Sequence, residues 1–87
     1  MSYAIHYRAS VKRDLRRLDA KSLRRIDAVI LALADDPRLR GCVKLAGASD
    51  LWRIRIGDYR VVYEIRDDSL IVLIIAVAHR REVYRGL

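Results

Sequence analysis

The sequence is poor in the residues that build stapled, metal-clamped or membrane-embedded folds. Its 87 residues hold one cysteine, Cys42, which excludes an intramolecular disulfide. Its two histidines, His6 and His79, do not cluster with that cysteine, which argues against a zinc site. There is one proline, Pro37, and no low-complexity stretch, repeat or linker, so residues 1–87 read as a single domain. The longest apolar run, Leu70 to Ala78, is nine residues, against the roughly 20 needed to span a bilayer. The segment from Met1 to Arg8 has no charged leader followed by an apolar run, as a secretory signal would. These absences lead us to expect a cytoplasmic protein with no membrane association, no metal and no cofactor.

Charge is abundant. Eighteen Lys and Arg oppose eleven Asp and Glu, a net charge of +7, and the chain is 53% hydrophobic and 33% charged. That apolar content is too high for a disordered basic tail. The excess fits an acidic partner, either nucleic acid or an acidic protein segment, and equally a plain solvated surface. Residues 1–41 carry ten Lys and Arg against five Asp; residues 42–87 carry eight against six acidic residues.

Tyr3, Ile5 and Tyr7 alternate with Ala4, His6 and Arg8, the pattern of a half-buried strand. Ser10 offers a helix N-cap. Val11, Leu15 and Leu18 then form one apolar stripe, with Lys12, Arg13, Arg16 and Arg17 opposite. Asp19 breaks this helix and caps the next, in which Leu23, Ile26, Ile30 and Leu33 continue at helical spacing. Asp36-Pro37 stops it, because a residue before proline is pushed out of the α region. The segment from Arg38 to Asp50 reads as irregular. Leu51–Ile56 and Tyr59–Ile65 alternate about Gly57-Asp58, a two-residue loop suited to a primed hairpin turn. Leu70–Ala78 reads as a central strand covered on both faces. The expected fold is α+β, in the order β-α-α-β-β-β, with a helical hairpin on one face of a small, largely antiparallel sheet.

The hairpin register sorts the side chains. If Gly57 and Asp58 are the loop, Ile56 pairs with Tyr59, Arg55 with Arg60, Ile54 with Val61, Arg53 with Val62 and Trp52 with Tyr63. Period-2 alternation then gives Trp52, Ile54, Ile56, Tyr59, Val61 and Tyr63 an apolar face for the helices and leaves Arg53, Arg55 and Arg60 on the other. Like charges directly opposite each other destabilise a strand pair. Guanidinium groups bind phosphate oxygens bidentately and cannot lose their charge, so an anion site accounts for the cluster; arginines splayed into water, with Glu64 offsetting one of them, are the plainer account. The last strand must end near this cluster. Whether His79 or Arg80 reaches the arginine face depends on the length of the turn at Asp67.

The ordered set Leu51-Trp52-Arg53-Ile54-Arg55-Ile56-Gly57-Asp58-Tyr59-Arg60-Val61-Val62-Tyr63-Glu64-Ile65, an apolar strand, then His79-Arg80-Arg81-Glu82-Val83-Tyr84-Arg85, resembles the RelE family of toxins within the RelE/ParE superfamily. The helix pair ending in Asp35-Asp36-Pro37-Arg38 fits as well, so the resemblance covers essentially the whole chain. It implies the toxin of a type II toxin–antitoxin system, a ribosome-dependent endoribonuclease that cuts mRNA in the A site and so inhibits translation. It implies catalytic roles for Arg53, Arg55, Arg60, Arg80 and Tyr84. His79, Arg81 and Lys44 are further candidates for acid/base or RNA-binding roles. Expected partners are a RelB-like antitoxin, the ribosome and mRNA, with operator DNA bound only by the toxin–antitoxin complex. Arg53 and Arg55 stand where well-known members often carry lysine. Two rival readings keep the fold: a ParE-like inhibitor of DNA gyrase, and a non-catalytic binder of nucleic acid or antitoxin.

Overall fold

The alternation at Tyr3–Tyr7 becomes an edge strand, and the two amphipathic segments after it become helices that cover one face of the sheet. The computed structural model describes residues 2–47 and 50–79. Its elements are β1 (Ala4–Tyr7), α1 (Ala9–Arg16), α2 (Ala20–Asp35), β2 (Val43–Lys44), β3 (Leu51–Ile56), β4 (Tyr59–Arg66) and β5 (Ile71–His79). The sheet order is β1-β5-β4-β3-β2. β1 runs parallel to β5 and every other pairing is antiparallel, so the expected α+β architecture holds with one strand added.

The added strand is β2, two residues inside the stretch read as irregular. Val43 pairs with Arg53 and Lys44 with Trp52. A two-residue strand has no periodicity to detect; it exists because β3 presents an open edge. The helix starts differ in an instructive way. Asp19 caps α2 as expected, its carboxylate accepting from the Ser22 backbone N–H at 3.2 Å. Ser10 does not cap α1. That helix opens after Arg8, whose N–H donates to the Ile74 carbonyl at 3.0 Å. The β1–β5 ladder therefore ends at Arg8, and the chain turns straight into the helix. At the far end of α2, Asp36 is extended at φ −143°, the conformation that Pro37 imposes on its predecessor.

Both helices bury their stripes on the sheet. Val11, Ile26, Ile30 and Leu33 are fully buried, in one cluster with the buried Ile54, Ile56, Val61, Tyr63, Val72, Ile74 and Val77. A smaller cluster, centred on Val62 and Ile75 with Leu45, Leu51, Leu73, Ala76 and Ala78, covers part of the opposite face. β5 is thus covered on both sides. It achieves this with a bulge: Val62 pairs with Ala76 but Tyr63 pairs with Ile74, leaving Ile75 as the extra residue.

Two sets of polar contacts tie the loops to this core. The buried Tyr63 hydroxyl donates to the Pro37 carbonyl at 2.8 Å, and burial pushes its pKa well above the usual phenol range, so it remains a donor. At the same end of the molecule, Arg38 grips Asp67 with two hydrogen bonds of 2.8 and 3.2 Å. The Tyr3 hydroxyl donates to the same carboxylate at 2.6 Å. The Arg38 guanidinium also lies 5.4 Å from the Trp52 ring centroid, a cation–π contact. This latch joins the start of β1, the exit of α2, the β4–β5 turn and β3.

Tyr63→Phe should destabilise the fold by about 1–3 kcal/mol, since it leaves the Pro37 carbonyl without its buried donor; urea unfolding of both proteins at neutral pH measures this. The bonds from Arg38 and Tyr3 hold the Asp67 carboxyl at about 2, below its ordinary 3.8. A depressed folded-state pKa contributes stability that is present above the unfolded value and lost as pH falls through the folded one. The urea midpoint should therefore fall faster between pH 4 and pH 2 in the wild type than in Asp67→Asn. Parallel profiles would show that the latch contributes nothing.

Candidate active site

The β3–β4 hairpin carries the site, and its register is the one that the two-residue loop dictates: Ile56↔Tyr59, Arg55↔Arg60, Ile54↔Val61, Arg53↔Val62, Trp52↔Tyr63. Gly57 takes φ +60° while Asp58 keeps a negative φ, the pattern of a type II′ turn with glycine at its first central position. Directly paired residues project to the same side of a sheet. Ile54, Ile56, Val61 and Tyr63 lie in the helix-covered core, so Arg53, Arg55 and Arg60 lie together on the opposite side.

Their surroundings concentrate positive charge. Arg55 is exposed, whereas Arg53 and Arg60 are half-buried. Arg53 stands opposite the fully buried Val62, and its Nε is shielded from solvent with no hydrogen-bond partner among the described residues. Glu64 shares this face but is engaged elsewhere: it accepts from Arg66 Nε at 2.5 Å. Among the described residues, no carboxylate pairs with Arg53 or Arg55. Desolvated guanidinium donors attract anions more strongly than solvated ones.

Two other expected site residues, His79 and Lys44, fall away from this cluster. His79 pairs with Tyr59 and meets its ring edge-on at 5.7 Å, which puts it on the helix side of the sheet. The bulge at Ile75 decides this, because one extra residue inverts the facing of all later residues in the strand. As a result His79 lies on the other side of the sheet from Arg53, Arg55 and Arg60. Lys44 pairs with Trp52, not Arg53, so it too faces the helix side, exposed at the sheet edge. Val43 takes the place beside Arg53 and is 47% exposed. Arg80, Arg81 and Tyr84 lie outside the described residues. Among the described residues no three His, Cys, Asp or Glu side chains converge. One cation that sequence reasoning missed, Arg25 of α2, lies against the hairpin turn at Gly57. Its only sequence signal is that it precedes the core residue Ile26.

The chain matches, over residues 5–84, the family model described as the ParE toxin of type II toxin–antitoxin systems, parDE. It is a member of the RelE/ParE toxin family. Individual relatives of this toxin are of RelE type. It is 28% identical to the toxin RelG of Mycobacterium tuberculosis, over 98% of this chain and 99% of that protein. It is 26% identical to the mRNA interferase toxin RelE of Escherichia coli K12, over 97% of this chain and 92% of that protein. Among solved structures, the archaeal RelE–RelB complex from Pyrococcus horikoshii aligns with a TM-score of 0.82 at 29% identity, covering 92% of this chain and 97% of that one. The toxin–antitoxin complex RelBE2 of M. tuberculosis aligns at 0.81 and 28%, covering 92% and 100%. The chain is thus a toxin of the RelE type from a type II toxin–antitoxin system.

The opposed arginines predict an inverted stability effect. Arg55→Thr removes a like-charge pair and adds a β-branched residue at an exposed strand position, so it should leave stability unchanged or raise it by up to about 1 kcal/mol. Urea unfolding at low salt, where the repulsion is least screened, measures it. A loss of more than 1 kcal/mol would mean that Arg55 serves the fold.

Proposed function

We propose that this toxin is a ribosome-dependent endoribonuclease that cuts mRNA in the A site by metal-free transesterification. The observation that carries this reading is Arg55 directly opposite Arg60, with Arg53 two residues away on the same face. That placement works against the strand pair, so its benefit lies in what the arginines bind. The RNA 2′-oxygen attacks the adjacent phosphorus, the P–O5′ bond breaks, and a 2′,3′-cyclic phosphate and a 5′-hydroxyl result. The 2′-hydroxyl proton leaves as the new P–O bond forms, and the 5′-oxygen takes a proton as it departs.

Arg60, with Arg80, offsets the charge that builds on the equatorial phosphate oxygens. Arg53 and Arg55 hold the flanking phosphates. Tyr84 stacks on a base or assists proton transfer. Guanidinium groups, with pKa values of about 12 or higher, are poor proton acceptors. The ribosome's part is then to orient the RNA in line, supplying by position what the site lacks as a base.

A RelB-like antitoxin is the proposed partner, because the similar solved structures are described as RelE–RelB and RelBE2 complexes. A shallow groove of about 350 Å³ between β1 and α1 suits an acidic amphipathic segment: Tyr7 and Leu15 form an apolar floor, flanked by Lys12 and Arg16. Operator DNA is proposed as a ligand of that complex only. The setting of the reaction is the cytoplasm; no helix among the described residues is long and apolar enough to cross a membrane.

A second reading is favoured by the name of the matching family model, that of the ParE toxin. Expression in cells followed by mapping of mRNA 5′ ends separates the two. Codon-phased cuts within translated regions are expected, with each of Arg60→Ala and Arg80→Ala slowing cleavage about 100- to 1,000-fold. Growth arrest with intact mRNA and inhibited DNA supercoiling would replace the endoribonuclease by a gyrase inhibitor. Arrest that survives both substitutions would point to a binder with no turnover.

A further inference from the structure

We propose that Arg25 is a positioning residue that clamps the β3–β4 turn and so fixes the Arg55–Arg60 pair; its catalytic consequence rests on the endoribonuclease reading. Arg25 is the residue before Ile26, and Ile26 is fully buried in the helix-facing core. α2 is therefore anchored in the core at this point. From there the Arg25 side chain reaches the hairpin tip. A methyl group added to Gly57 would lie 3.2 Å from Nη1, 3.5 Å from Nη2 and 3.6 Å from Cζ of Arg25. Three atoms of one guanidinium at such distances mean that its planar group lies against the backbone of the turn.

Gly57 thus meets two demands, a φ of +60° and room for that guanidinium. Beneath it is a cleft of about 110 Å³ lined by Ser22, Arg25, Ile26, Ile56, Asp58 and Tyr59. Arg55 and Arg60 form the second pair from the turn, with only Ile56↔Tyr59 between them and Gly57. The position of the turn therefore sets the position of this pair. Contact from α2 holds the turn from the helix-covered side, away from the face that carries the arginines.

A double-mutant cycle on the full chain tests the clamp without reference to activity. Gly57→Ala and Arg25→Met should each lower the melting temperature. The combined variant should lose less than the sum, because shortening residue 25 frees the space that the alanine methyl needs. Strict additivity overturns the clamp. The second test is single-turnover mRNA cleavage on ribosomes by Arg25→Met, Arg25→Lys and Arg24→Met. Arg25→Met should slow the step roughly 10- to 100-fold at saturating ribosome, with half-saturation unchanged. Arg25→Lys should not restore it, since an ammonium lacks the planar group. Equal slowing by Arg24→Met, which removes the same charge one residue away, overturns the positioning role. If the wild type shows a coupled cycle yet cuts no mRNA, the clamp stands and the endoribonuclease reading fails.

Discussion

The two-residue turn at Gly57-Asp58 is the constraint on which the rest of this structure depends. A loop of two residues permits one register between β3 and β4, and that register assigns every side chain of the hairpin to a face. Trp52, Ile54, Ile56, Tyr59, Val61 and Tyr63 go to the helices. Arg53, Arg55 and Arg60 go to the open side in the same stroke. A slip of one residue would bury the arginines under α2 and expose the core. Core and site are therefore two readings of a single geometric decision, and neither can be altered without the other.

That decision sets apolar burial and the crowding of like charge on opposite faces of one hairpin. Burial of Ile26, Ile30 and Leu33 against the hairpin favours closure of the domain. The paired arginines on the far side oppose it, and the carboxylate that shares their face, Glu64, is bound to Arg66. The fold tolerates the repulsion because a surface like-charge pair costs a fraction of a kcal/mol up to about 1, whereas each fully buried aliphatic side chain contributes roughly 1.5–3 kcal/mol. At the other end of the molecule, the Tyr3–Asp67–Arg38–Trp52 contacts hold the loops against the base of the hairpin.

Local signals were legible wherever a feature depends on residues close in the chain. Pro37 ended α2, Asp19 capped it, and period-2 alternation with a two-residue loop placed Arg53, Arg55 and Arg60 on one face. Features that depend on a distant partner were not legible. Ser10 had the chemistry of a cap, yet α1 begins after Arg8 because the Ile74 carbonyl holds that residue at the end of the β1 ladder. β2 is strand only because β3 offers an edge to Val43 and Lys44. Arg25 resembles any other helix-surface arginine until the turn is folded beneath it.

The sequence by itself therefore determined the hairpin register, the two apolar helix stripes and the gathering of three guanidinium groups, since each follows from loop length or from a short period. Tertiary structure alone decided that β1 joins β5 in parallel and that Lys44 faces away from Arg53. It also decided the place of His79. The bulge at Ile75 lets β5 fill two apolar clusters of different depth, and the extra residue inverts the facing of everything after it. A histidine that strict alternation from Val72 would have set among the arginines instead packs edge-on against Tyr59. Facing along a strand accumulates residue by residue, so one bulge driven by packing on both sides of the sheet outweighs the local pattern.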